Sequence, residues 1–140
     1  MLTKILTAIA CTSSIGFGAW HFFVPSIWRW YDYIAPDAAE LVIAVRAINV
    51  FFSLCLVLIG AGSAVIVFAS RERLARIVIL SIATLLWAAR VVLQLVYPQG
   101  SASPPLQYGM LAAFIVTFIC CAVPLGLAIF ARSDKIGATH

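Results

Sequence analysis

The sequence predicts an all-α fold, a polytopic membrane protein built as one four-transmembrane-helix bundle with short loops. Three observations carry that prediction. Of 140 residues, 64% are hydrophobic and 10% charged, with a mean hydropathy of +1.11, whereas a soluble domain is about half apolar and a quarter charged. The apolar residues gather into four runs, each at least as long as the ~20 helical residues that cross a hydrocarbon core of about 30 Å. The basic residues cluster at alternate run ends, as the orientation of a polytopic chain requires.

The first span is read over 5–24, closed by Pro25, whose ring removes a backbone donor. Ala8-Ile9-Ala10 imitates a signal-cleavage site, but the apolar run continues past it, so the segment is expected to be a retained helix. The second span covers 41–69, long enough to tilt or to project beyond the bilayer. The third covers 77–97 and stops at Pro98. The fourth covers 107–131, after the Gly/Ser/Pro-rich link Gln99–Pro105. This leaves no separate soluble domain within 1–140.

Lys4 precedes the first span, Arg71, Arg73 and Arg76 fill the link between the second and third, and Arg132 and Lys135 follow the fourth. The third-to-fourth link is uncharged, and the first-to-second link sets Arg29 against Asp32 and Asp37. The positive-inside rule therefore predicts both termini in the cytoplasm. The same distribution accounts for the net charge of +4 without a nucleic-acid partner; membrane lipids are the expected surroundings. Trp28, Trp30, Tyr31 and Tyr33 crowd the outer first link, where amphipathic rings sit at headgroup level as an anchor or as a lid over a pocket.

Charge inside the spans is the informative feature, because lipid cannot hydrogen-bond to it. Arg46 and Arg90 lie about 8 Å and about 11 Å below the outer ends of their spans by helical rise. Arg46, Asn49 and Ser53 share one stripe, and Trp87, Arg90, Gln94 and Tyr97 another. His21 aligns with Gly18, Ser14 and Cys11, small residues that allow close helix approach and turn His21 inward. The spans hold no Asp or Glu. The guanidinium groups must therefore find loop acids (Asp32, Asp37, Glu40), carbonyls, lipid phosphates or a bound anion.

Cys11, Cys55, Cys120 and Cys121 form no C-x-x-C pair and read as small buried hydrophobes, so no metal site is expected. A haem would want a second axial ligand, which His140 at the opposite end does not supply. No phosphate-binding Gly-rich loop, Ser-His-Asp spacing or H-E-x-x-H helix is present.

The stretch Gly16-Phe-Gly-Ala-Trp-His21-Phe22-Phe-Val-Pro25, with Pro36 beyond it, resembles the G-x-x-H-F-x-x-P segment of DoxX-like small four-helix membrane proteins. The resemblance implies the same four-helix plan, and the expected location is a bacterial inner (plasma) membrane. Named members include a subunit of a thiosulfate:quinone oxidoreductase. Arg46-x-x-Asn49 and Arg90 with Tyr97 also invite comparison with MAPEG enzymes. Those place a glutamate soon after the asparagine, and Val50–Leu56 here contains no acid.

The leading expectation is a non-enzymatic or accessory protein with a polar cavity in the outer half of the bundle. His21, Arg46, Asn49, Trp87, Arg90, Gln94 and Tyr97 would line it and bind a lipid-like or quinone-like molecule. The alternatives are a quinone-linked oxidoreductase subunit, with quinone as its cofactor and His21 exchanging protons, or a structural subunit. Either would engage a membrane-protein partner or a second copy of the chain.

Overall fold

In a lipid environment every backbone N–H and C=O must bond within its own segment, so apolar runs of this length become helices. A computed structural model describes residues 1–100 and 103–130. The chain forms α1 (Leu2–His21), α2 (Val24–Ile27), a 3-10 turn (Trp30–Tyr33), α3 (Ala39–Ala69), α4 (Arg73–Val96) and α5 (Pro104–Phe130). No strand occurs among the described residues. Four of these helices, α1, α3, α4 and α5, are long and apolar enough to cross a membrane. Large apolar side chains such as Leu58, Val65 and Leu85 stay 60–71% exposed in mid-helix, which suits lipid and not water.

Helix ends differ from the apolar spans in instructive ways. α1 stops at His21 rather than Val24, and Pro25 opens the short α2, because a proline in a first helical turn sacrifices no hydrogen bond. α4 begins at Arg73, so Arg73 and Arg76 are helical and not part of the link, and α5 begins on the Pro104-Pro105 pair. Hydropathy marks the apolar stretch, while helical bonding continues into the polar flanks. Ala131, Arg132, Lys135 and His140 lie outside the described residues.

The spanning helices run up and down in a ring, in the order α1, α3, α4, α5 and back to α1, with the fullest contacts between α1 and α3 and between α4 and α5. In each helix a buried or half-buried hydroxyl bonds the carbonyl four residues back: Ser14 to Ala10, Ser53 to Asn49, Thr84 to Leu80 and Thr117 to Ala113. This satisfies the hydroxyl inside an apolar bundle without a second helix. Across the centre, Trp87 Nε1 of α4 donates to Ser14 Oγ of α1 at 3.0 Å. Trp87 and Phe114 are almost fully buried, and Phe17 meets both rings edge-on at 5.9 and 5.0 Å.

The α1–α3 seam is the tightest. A Cβ on Gly18 would lie 2.7 Å from the Ser53 carbonyl oxygen and 2.9 Å from Leu56 Cβ; one on Gly60 would lie 2.8 Å from Ile15 Cγ1 and 3.0 Å from the Cys11 carbonyl oxygen. Backbone approaches backbone at both levels, which only glycine permits. Gly18→Ala is expected to force the helices apart, costing about 1–3 kcal/mol as an overpacked contact does. Gly16→Ala, where a Cβ meets nothing within 4 Å, should be neutral. Thermal unfolding of the two variants in detergent checks the contrast.

Candidate functional site

Gly18 brings the end of α1 against α3, and one turn later His21 meets Asn49. Asn49 Nδ2 donates to the His21 carbonyl oxygen at 3.1 Å, and Asn49 Oδ1 stands 2.7 Å from His21 Nδ1. A carbonyl can only accept, so the amide must turn its NH2 toward the His21 carbonyl and its oxygen toward the ring. That oxygen can also only accept, so Nδ1 carries the proton. In the neutral ring Nε2 is then an acceptor, and it has no hydrogen-bond partner among the described residues. Asn49 thus does two jobs: it satisfies an end carbonyl of α1 and fixes the histidine tautomer.

Two further rings hold that imidazole edge-on, Phe52 of α3 at 4.9 Å and Trp30 at 6.3 Å. Trp30 gets there because Arg29 turns the chain back in the left-handed conformation, φ 52°. For a bulky non-glycine residue that conformation costs about 1–3 kcal/mol. Arg29 also pairs with Asp32 at the exposed surface, where such a pair contributes little. The reversal is therefore supported by where it sends Trp30 and Tyr31.

Arg90 of α4 is half-buried. Its Nη2 donates to Gln99 Oε1, and its Cζ lies 4.3 Å from the centroid of the Phe114 ring. Gln94 holds Gln99 in place: Gln94 Nε2 donates to the Gln99 carbonyl oxygen at 2.9 Å, and the Gln99 N–H reaches Gln94 Oε1 at 3.4 Å. A neutral amide and an aromatic face thus answer the cation, with no carboxylate involved. A desolvated cation over a ring is worth about 2 kcal/mol, against a burial cost of about 2.5–3.5 kcal/mol for arginine at mid-membrane.

Two cavities meet at this arginine. One, of about 190 Å³, is walled by Trp20, His21, Trp28, Trp30, Arg90 and Gln99. The other, an apolar slot of about 80 Å³, runs between Phe52 and Leu56 on one side and Leu86 and Leu93 on the other. Phe17 and Arg90 belong to both. The slot lies along the α3–α4 seam, which is more thinly packed than either α1–α3 or α4–α5.

The expected site residues separate into two groups. His21, Asn49, Trp87, Arg90 and Gln94 gather at or directly behind the two cavities. Arg46 and Tyr97 do not join them. Arg46 is exposed and lies over the Tyr31 ring at 5.3 Å. Tyr97, 72% exposed, caps α4 with φ −126° and ψ 75°, so a helical stripe extended to it points the wrong way. Among the described residues Asp32 pairs only with Arg29, so neither intramembrane arginine takes a loop acid.

Gln99 and Phe17 were not among the expected lining residues, whereas Trp28 and Trp30 belong to the aromatic link read as an anchor or a lid over a pocket. Gln99 had a signal, since it is the polar side chain that follows Pro98 in an uncharged link. The cysteines lie elsewhere, Cys11, Cys120 and Cys121 being buried thiols without a disulfide.

Comparison with protein-family models, with curated proteins and with solved structures finds no match. The site's own chemistry therefore carries the functional reading. It offers one fixed donor cation, one imidazole nitrogen with no partner among the described residues, an aromatic wall and an adjoining apolar slot.

The tautomer deduced from Asn49 predicts that 15N-histidine spectra show His21 with a protonated Nδ1 and a bare Nε2. Asn49→Leu should convert that signal to a tautomer mixture, with His21→Gln identifying the resonance.

Proposed function

We propose that this membrane protein binds a lipid-like or quinone-like molecule, its carbonyl or anionic head at Arg90 and His21 and its chain in the slot beside Phe52 and Leu86. The observation that carries this reading is Arg90 itself. It is half-buried, answered by one amide and one ring, and lines both the aromatic-walled cavity that holds His21 and Gln99 and the apolar slot. A cavity of about 190 Å³ is smaller than the ~300–1,000 Å³ of sites that enclose a whole drug-sized ligand. It suits a head group whose tail leaves through the slot into lipid.

A second reading, a quinone-linked oxidoreductase subunit, draws on His21 Nε2. A neutral imidazole acceptor beside an arginine donor matches a head that has both an O–H and a C=O, and the imidazole can take up the proton a quinol releases. The electrons would pass to a redox centre on a partner subunit. The resemblance of Gly18–Pro25 to DoxX-like proteins leans the same way. Among the described residues no cluster of three or more His, Cys, Asp or Glu is placed to hold a metal ion.

The location we propose is a bacterial inner membrane with both termini cytoplasmic, since Lys4 and the Arg71–Arg76 cluster share one end of the bundle. Reporter fusions test it: a phosphatase inserted at Gly100 should be active, and the same phosphatase after His140 silent.

Native mass spectrometry of protein purified in mild detergent tests the ligand. Wild type and Arg46→Gln should retain the same co-purified amphiphile. Arg90→Gln should lose it at least tenfold, as expected when a charge-assisted bond of about 1.5–3 kcal/mol is removed. Equal retention in all three sinks the proposal. His21→Gln separates the readings: a pure binding protein loses affinity only modestly, whereas an oxidoreductase subunit loses quinone-dependent turnover while still binding.

A further inference from the structure

The opposite end of the bundle holds a third, chemically different cavity, of about 670 Å³. Lys4 and Thr3 of α1 and Arg76 of α4 stand around it, and Leu80, Pro124 and Leu127 form apolar wall. The basic residues at this end behave differently from one another. Arg73 turns to the end of α5 and does not line the cavity: Nε and Nη2 donate to the Ala128 carbonyl oxygen at 3.1 and 2.9 Å, and Nη2 also to that of Ile129 at 3.0 Å. Arg76 spends Nε and Nη2 on the Ser70 carbonyl oxygen, and among the described residues its Nη1 is uncommitted beside the cavity. Lys4 has neither a hydrogen bond nor an ion pair among the described residues.

Glu72 is the only acid in the neighbouring turn, and it forms no ion pair among the described residues. Among the described residues, two cations thus face one cavity with no carboxylate answering them, and low-dielectric walls concentrate their field. Free phosphate would use the cations and leave the apolar wall idle, and an acyl chain alone would do the reverse. An amphiphile with an anionic head uses both, and basic pockets between transmembrane helices at the membrane surface recognise such heads.

We propose that this cavity binds an anionic phospholipid, with the phosphodiester between Lys4 and Arg76 and an acyl chain against Leu80, Pro124 and Leu127. The site is independent of the one at Arg90. Arg73 is a positioning residue for it, tying the end of α5 to the start of α4 and so fixing one wall.

Lipid titration of the full chain in mild detergent, read by native mass spectrometry, tests the assignment with phosphatidylglycerol against phosphatidylcholine of the same chains. Wild type should prefer phosphatidylglycerol at least about tenfold, the scale of two basic residues at a membrane surface. Lys4→Gln with Arg76→Gln should bring the two lipids level. Lys4→Gln with Arg76→Lys, which keeps one cation, should show an intermediate preference even if the Ser70 contact is weakened. Arg71→Gln, exposed at the same end and outside the cavity, should keep the full preference. Any of three results overturns the proposal: no preference in wild type, a loss in Arg71→Gln equal to that in the double variant, or competition by millimolar inorganic phosphate as effective as that by the lipid.

Discussion

The close crossing of α1 over α3 is the contact on which the rest of the molecule depends. With no Cβ on Gly18 or Gly60, the backbones come near enough for each glycine position to touch a carbonyl of the facing helix. In lipid no hydrophobic force drives helices together, so dispersion across such a seam has to supply the association. The crossing also sets the site. Residues three positions beyond Gly18 reach the level of Asn49, so His21 receives its two bonds there. Phe17, one position before, turns toward Trp87 and Phe114 and links α1 to α4 and α5.

Arg90 shows how a permanent charge is kept in an apolar bundle that has no acid in its spans. Gln99 reaches back from the link after α4, itself held by Gln94, and Phe114 supplies its ring face. Each partner compensates only part of a charge, and together they leave N–H groups uncommitted. A carboxylate would have neutralised the guanidinium and closed the site to an anionic or carbonyl head. The weaker partners keep it receptive, which is the physical link between this packing and a binding role.

Much of this was legible in the sequence. The four spans follow from hydropathy, and the inward face of α1 follows from Cys11, Ser14, Gly18 and His21 at helical spacing, of which the first three are buried. What could not be read was which polar residues in a shared stripe converge. Arg46 and Asn49 are three residues apart, yet Asn49 is 6% exposed while Arg46 lies outside with Tyr31. A stripe on one helix spans a wide arc, and only the position of the neighbouring helix decides which edge is covered. Tyr97 stands apart for a different reason: helical periodicity applies only inside the helix, and α4 ends at Val96. Gln99, Trp28 and Trp30 come from irregular segments, whose path depends on a left-handed residue at Arg29 and a glycine at φ +76° at Gly100. Neither conformation has a periodic signature.

The two ends of the bundle solve the same problem with different chemistry. At one end a single cation is softened by rings and amides and faces a neutral acceptor nitrogen, an environment selective for geometry and hydrogen-bond polarity. At the other, Lys4 and Arg76 border a larger cavity with no acid among the described residues answering them, an environment selective for charge. Arg73, between these extremes, turns Nε and Nη2 to the α5 carbonyls and stays out of the cavity. The same residue type therefore plays three parts in one small bundle. Its partner in each case, an amide and a ring, a single backbone carbonyl, or a pair of helix-end carbonyls, determines how much of its charge remains available to something outside the chain.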